Sequence, residues 1–130
     1  MASWSVEGDR RGKLPVASEG ELFGSLDQLE LGPREGPRPM AIVYAPTGET
    51  VVVGLAGESW FLNHIAAEGS PSFSSHEPAA AREGTMAFSL LGEYSEVDAN
   101  RLIPRDLARE ALRHWFRTGT RHPGVDWIED

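Results

Sequence analysis

The sequence has 130 residues and a formal net charge of −8, from 12 basic and 20 acidic residues. This length suits one domain with a core of its own, and we expect a single domain over residues 1–130. The absence of cysteine excludes a disulfide scaffold, a thiol nucleophile and a cysteine-bound metal centre. The acidic balance disfavours direct contact with nucleic acid or an anionic membrane, and it favours a basic partner.

Nothing in the sequence indicates export. The first residues lack a basic segment followed by an apolar one, and no apolar run is long enough to span a bilayer. The cytoplasm is therefore the expected location.

The first third of the chain predicts a strand at 4–6, a charged loop over 7–15 and a helix. Ser18 and Glu21 form a capping box at the start of that helix, and Gly32-Pro33 is expected to end it. The apolar positions of the helix share one face: Leu22, Leu26 and Leu29.

The middle of the chain predicts short strands joined by hairpins. These apolar or β-branched runs are bounded by turn residues and lie at 40–45, 50–54, 58–65, 85–91 and 94–97. Residues 66–84 hold few large apolar side chains and many of Ala, Ser, Glu, Gly and Pro. We expect a long surface loop there, with Phe73 as its anchor.

The clearest helix begins near Pro104, a residue suited to a first helical turn, and Gly119 is placed to end it. Its apolar stripe comprises Leu107, Ala108, Ala111, Leu112, Trp115 and Phe116. Every fourth residue from Arg105 to Arg117 is arginine, which we interpret as a solvated helix face. With a last strand at 125–128, the pattern predicts an α+β domain. We expect a mainly antiparallel sheet of about five to seven strands, with two helices packed on it in two layers.

The sequence contains no motif typical of catalysis or of metal or cofactor binding. The P-loop, the dinucleotide fingerprint and the complete nucleophile elbow are all missing. The four histidines, His64, His76, His114 and His122, lack the spacing of a zinc site. We therefore expect no catalytic residue, no metal and no cofactor.

One acidic segment stands out because its carboxylates surround an aromatic residue. Glu93, Glu96 and Asp98 flank Tyr94, a combination that suits docking onto a basic protein surface. An internal role is the alternative for Glu96, for example as the partner of Arg101.

The same segment carries a family pattern. Residues 92–104 are Gly-Glu-Tyr-Ser-Glu-Val-Asp-Ala-Asn-Arg-Leu-Ile-Pro. The pattern continues through Ala-Arg-Glu-Ala at 108–111 and Trp-Phe-Arg-Thr-Gly at 115–119, and it closes with Pro-Gly-Val-Asp-Trp at 123–127. This resembles the immunity protein one family of bacterial polymorphic toxin systems, continuously over 92–127.

The resemblance implies an antitoxin without catalytic activity. Members bind the C-terminal domain of a cognate toxin, often a nucleic-acid deaminase, and block its active site or substrate groove. The expected partner is therefore a basic domain that acts on nucleic acid. The toxin-interface candidates are Glu93, Tyr94, Glu96, Asp98 and Trp60.

A small α+β ligand-binding or catalytic domain is the alternative interpretation. Its pocket would lie between sheet and helices, with His64 or His114 as a polar group. The aromatic lining would be Trp60, Phe88, Trp115 and Trp127. The two interpretations differ in the core, because a fully packed helix–sheet interface leaves no room for that pocket.

Overall fold

The structure is a computed structural model that describes residues 3–8, 11–31, 36–77 and 84–130. Its two α-helices are α1 (Glu19–Glu30) and α2 (Arg105–Thr118). Its strands are β1 (Ser5–Gly8), β2 (Arg11–Pro15), β3 (Arg38–Tyr44), β4 (Thr50–Ala56), β5 (Ser59–Ile65), β6 (Ser72–His76), β7 (Thr85–Leu90), β8 (Glu93–Asp98), β9 (Leu102–Pro104) and β10 (Asp126–Glu129). A 3₁₀ turn, Ala99–Arg101, joins β8 to β9.

The sheet is mainly antiparallel, with strands in the order β10-β6-β5-β4-β3-β1-β2. The short β9 pairs with the start of β5, while β7 runs parallel to the start of β3 and antiparallel to β8. The predicted α+β class with two helices on a mainly antiparallel sheet is confirmed. The described residues form ten strands, more than the five to seven predicted, because several short segments also pair.

Both helices pack on one face of the sheet. Two of the signals predicted for their ends are present, the first at the start of α1, where the Ser18 hydroxyl accepts a hydrogen bond from the Glu21 amide at 3.2 Å. Gly119 has a φ of 77° and donates its N–H to the Trp115 carbonyl at 2.7 Å, in the left-handed conformation that glycine adopts readily. Trp60 and Trp115 are 0% and 2% exposed and are the largest side chains of this core. Neither helix has the length and apolarity to cross a membrane.

The β7–β8 hairpin covers the opposite face of the sheet. Because side chains alternate along a strand, Val51, Val53 and Leu55 belong to the helix-side core, whereas Gly54 faces the hairpin. A β-carbon added at Gly54 would lie 2.8 Å from the ring of the fully buried Phe88. A second, smaller core results, formed by Met40, Phe61, Phe88 and Leu102 with Met86, Leu90 and Val97 around them.

Two segments predicted as loops contain strands. Residues 11–15 pair with β1 at the sheet edge, where one open side tolerates a charged, glycine-containing sequence. Residues 72–76 form β6 between β5 and β10. Composition hid β6 because its buried polar groups are small hydroxyls with partners. The Ser75 hydroxyl accepts from the Leu62 amide at 3.0 Å and donates to the Arg101 carbonyl at 2.7 Å.

Other predictions are refined or lie outside the described residues. Pro104 ends β9 and immediately precedes α2, instead of occupying its first turn. Phe73, the expected anchor, lies on β6 with the Arg121 guanidinium 3.7 Å from its ring centre. The predicted helix stop at Gly32-Pro33 and residues 78–83 of the predicted loop fall outside the described ranges.

Candidate functional site

The outer face of β8 brings three of the candidate residues together. In the β7–β8 register, Tyr94, Glu96 and Asp98 lie opposite Ser89, Ala87 and Thr85. Their side chains share one face, since every second residue of a strand points the same way. Val97 points to the other side and packs against the small core. We call Tyr94, Glu96 and Asp98 the acidic hairpin face.

Glu93 lies at the tip of the same hairpin, paired with Leu90. The alternation assigns it to the other face of β8, although its side chain is exposed. Of the four predicted residues, three therefore share the acidic hairpin face, and the fourth, Glu93, lies beside it at the turn.

The carboxylates of this segment have no cationic partner among the described residues. Glu96 instead accepts from the Tyr94 hydroxyl at 3.2 Å and from the Thr85 hydroxyl at 3.4 Å. Partial desolvation, followed by the hydrogen bond and charge of Glu96, raises the pKa of Tyr94. The internal partner suggested for Glu96 does not exist, because Arg101 binds Asp130 at 2.8 Å.

The acidic hairpin face also lies on a sheet edge. Within the described ranges β8 pairs only with β7, and Tyr94 is 62% exposed. Charged side chains on an edge strand oppose indiscriminate strand pairing. This surface is thus negative and open, and it carries an aromatic ring able to pack on a partner.

Trp60 lies apart from this surface, inside the helix-side core, and its interface role stays a prediction. Its side chain is 0% exposed, and its indole N–H donates to the Glu30 carboxylate at 2.8 Å. Glu30 is itself buried and also accepts from the Gly57 amide at 2.9 Å. The two residues form a structural contact between α1 and β5.

The arginine ridge of α2 is a seam between the two helices, contrary to the solvated face predicted from spacing. Asp27 on α1 binds Arg109 at 2.7 Å and Arg105 at 3.2 Å. Glu19 binds Arg117 at the other end, and that hydrogen bond lowers the pKa of Glu19. The remaining member, Arg113, lies near Glu19 and Glu110.

The ridge also packs on aromatic rings. The Arg109 guanidinium lies 4.5 Å from the Phe23 ring centre and 5.7 Å from that of Trp60, within the range of cation–π attraction. The arginines of the ridge are therefore engaged in contacts within the chain and stabilise the packing of α2 against α1.

The residues that the structure describes do not form the aromatic pocket of the alternative interpretation. Phe88 belongs to the small core under the hairpin, whereas Trp60 and Trp115 pack on the helix side. Between α2 and the sheet, the space bordered by Leu62, Trp115 and Trp127 is only about 10 Å³. Such a space accommodates at most one water molecule.

A cleft of about 560 Å³ lies outside the core, lined by Glu49, His64, Thr120, Arg121, His122 and Trp127 among others. The His64 Nε2 atom is 3.8 Å from the Glu49 carboxylate, beyond hydrogen-bonding distance. Burial lowers the pKa of His64, with Glu49 opposing and Arg121 reinforcing that effect. The described residues contain no group of His, Asp or Glu arranged to hold a metal ion.

Comparison with known proteins identifies a family over nearly the whole chain. The sequence model of a family described as immunity protein Imm1 matches residues 10–129. This confirms the resemblance noted from residues 92–127 and extends it toward the N-terminus as far as β2 and α1. A search of curated proteins finds no match.

Proposed function

Because the chain belongs to the Imm1 immunity protein family, we propose that it neutralises a cognate toxin by binding it and blocking its active site or substrate groove. The family match over residues 10–129 is the observation that carries this proposal. The space between α2 and the sheet, about 10 Å³ within the described part of the chain, is too small for a substrate, so the core offers no support for the alternative of an internal ligand pocket. The protein acts as a binding partner in the cytoplasm, without a catalytic step of its own.

The toxin proposed here is the C-terminal domain of a polymorphic toxin that acts on nucleic acid, with a deaminase as the expected activity. Any enzyme of that kind needs a positively charged groove for the phosphate backbone. A chain with a net charge of −8 is attracted to such a groove over long range, which raises the association rate.

The acidic hairpin face is the proposed contact. Its carboxylates are not neutralised by cations of the described residues, and Tyr94 adds an exposed ring beside them. Exposed aromatic residues flanked by charge are typical of the centres of tight interfaces. Glu93 at the hairpin tip extends the negative charge toward the turn.

Co-expression with the toxin domain encoded beside this gene tests the proposed function. The tagged toxin is purified, and the eluate is run on a sizing column with mass detection. A one-to-one complex together with restored host growth is the expected result. Separate elution without growth rescue would overturn the proposal.

Charge reversal tests the contact surface separately. In the Glu96→Lys/Asp98→Lys variant, association should slow by about ten-fold at low salt, and the difference should shrink at high salt. The matched control is Glu68→Lys/Glu129→Lys, which reverses two exposed acids elsewhere. Equal association rates for the two variants would remove the acidic hairpin face from the interface and leave the antitoxin role intact.

A further inference from the structure

The tip of the β7–β8 hairpin is a two-residue turn with an unusual first residue. Leu90 pairs with Glu93, so the turn consists of Leu91 and Gly92 alone. Their φ angles are 51° and 84°, and two positive values are the signature of a type I′ turn. The first position of this turn is usually occupied by Asn, Asp or Gly. A residue with a bulkier side chain, such as leucine, is strained at a positive φ. Leu91 is the only non-glycine residue of the described ranges with a positive φ.

Packing within the chain does not explain why a leucine occupies this position of the turn. Leu91 is 48% exposed and belongs to neither hydrophobic core. The strained backbone lowers the stability of the free protein, and the exposed side chain recovers little of that loss through burial. Strained positions of this kind concentrate at functional sites.

The strands that carry the turn are packed against the sheet. Phe88 is fully buried against Gly54, and Met86, Leu90 and Val97 pack around it. A protruding side chain on a fixed support loses little conformational freedom when it enters a partner.

The surroundings of Leu91 define the partner. Glu93 follows the turn directly and Glu96 lies further along β8, and neither has a cationic partner within the described part of the chain. We propose that Leu91 is the apolar anchor of the toxin interface, inserting into an apolar pocket whose rim carries Arg or Lys. This inference rests on the proposed function and specifies the toxin surface that the hairpin recognises.

The Leu91→Asn variant tests the anchor, because asparagine suits the turn but lacks the apolar side chain. The expected result is a urea midpoint for the free protein that is unchanged or higher, with a Kd for the toxin domain raised about ten-fold or more. Leu91→Met keeps an apolar side chain and should keep the affinity. Leu31→Asn is the matched control, since Leu31 is the large apolar residue with the greatest exposure in the described ranges, at 76%. This variant should bind as tightly as the original chain.

The outcomes separate this inference from the function on which it rests. If the original chain binds the toxin and Leu91→Asn binds equally well, the anchor is wrong and the antitoxin role stands. A lower urea midpoint for Leu91→Asn would give the leucine a structural role and overturn the inference, as would an equal loss of affinity in Leu31→Asn. If the original chain neither binds the toxin nor rescues growth, the proposed function fails and the anchor fails with it.

Discussion

Between α1 and α2 every arginine of the ridge contacts a carboxylate of α1, whereas on β8 the carboxylates contact no cation of the described residues. Asp27 alone binds two arginines, while Glu96 has only the hydroxyls of Tyr94 and Thr85 as partners. Both regions contain Asp and Glu carboxylates. What separates them is whether the opposite charge lies within the chain, so the first region serves folding and the second remains available for binding.

Burial follows the same division. On the helix side, Glu30 is buried and accepts hydrogen bonds from Trp60 and Gly57 at one carboxylate oxygen, while Arg105 lies 3.3 Å from the other. On the hairpin, the buried side chains point toward the sheet, whereas the outer face of β8 is polar and exposed. Substitutions should therefore affect stability in the first region and affinity in the second.

Removal of Glu30 should have the largest effect. Glu30→Ala leaves the Trp60 indole N–H and the Gly57 amide without their acceptor in a buried site. We expect a loss of about 3–5 kcal/mol in the free energy of unfolding, measured by urea denaturation. Glu68→Ala, at an exposed position, should change it by less than about 0.5 kcal/mol. A similar value for the two variants would contradict the structural role of Glu30.

Gly54→Ala tests how the hairpin is seated. The added methyl group meets the Phe88 ring at 2.8 Å, and overpacking of this kind costs about 1–3 kcal/mol. Gly24→Ala is the matched control with the opposite sign: Gly24 lies in α1 with open space around its α-carbon. That substitution should stabilise the protein by about 0.5–1 kcal/mol. If Gly54→Ala is also stabilising, the hairpin does not rest on β4 as described.

A smaller effect is expected from pH, through a buried group on the helix side. Burial lowers the pKa of His64, so the unfolded chain takes up a proton at a higher pH than the folded one. The free energy of unfolding should therefore be highest at pH values above the ordinary pKa range of histidine. It should fall as the pH drops from about 7.5 to about 5.5.

His64→Gln should reduce this loss, as read from urea midpoints at the two pH values. His76→Gln, on the partly buried end of β6, is the control and should retain the pH dependence of the original chain. If the His64→Gln variant keeps the pH dependence of the original chain, His64 is not the group that causes it.

Local signals in the sequence predicted much of the fold. The capping box of Ser18 and the glycine stop at Gly119 fixed the helix ends, and the alternation of Met86, Phe88 and Leu90 indicated the buried side of β7. The family pattern of residues 92–127 predicted the family itself.

Interactions between distant residues explain what was missed. The ridge was interpreted as solvated because Asp27 lies 82 residues from Arg109, and spacing along α2 contains no information about it. Trp60 is among the interface candidates because the sequence around it contains no information about its buried acceptor Glu30, which lies 30 residues away. The strain at Leu91 was equally hidden, since a positive φ at leucine has no sequence signature.

Two charge-matched double variants compare the regions most directly. Glu19→Gln/Asp27→Asn removes two carboxylates from the helix seam, and Glu96→Gln/Asp98→Asn removes two from the acidic hairpin face. Because both variants lose the same net charge, any difference between them arises from position. For each we would measure the urea midpoint and the association rate constant with the toxin domain at low salt. We predict a lower midpoint with unchanged association for the seam variant, and an unchanged midpoint with slower association for the hairpin variant. The reverse pattern, or equal effects in both regions, would contradict this prediction.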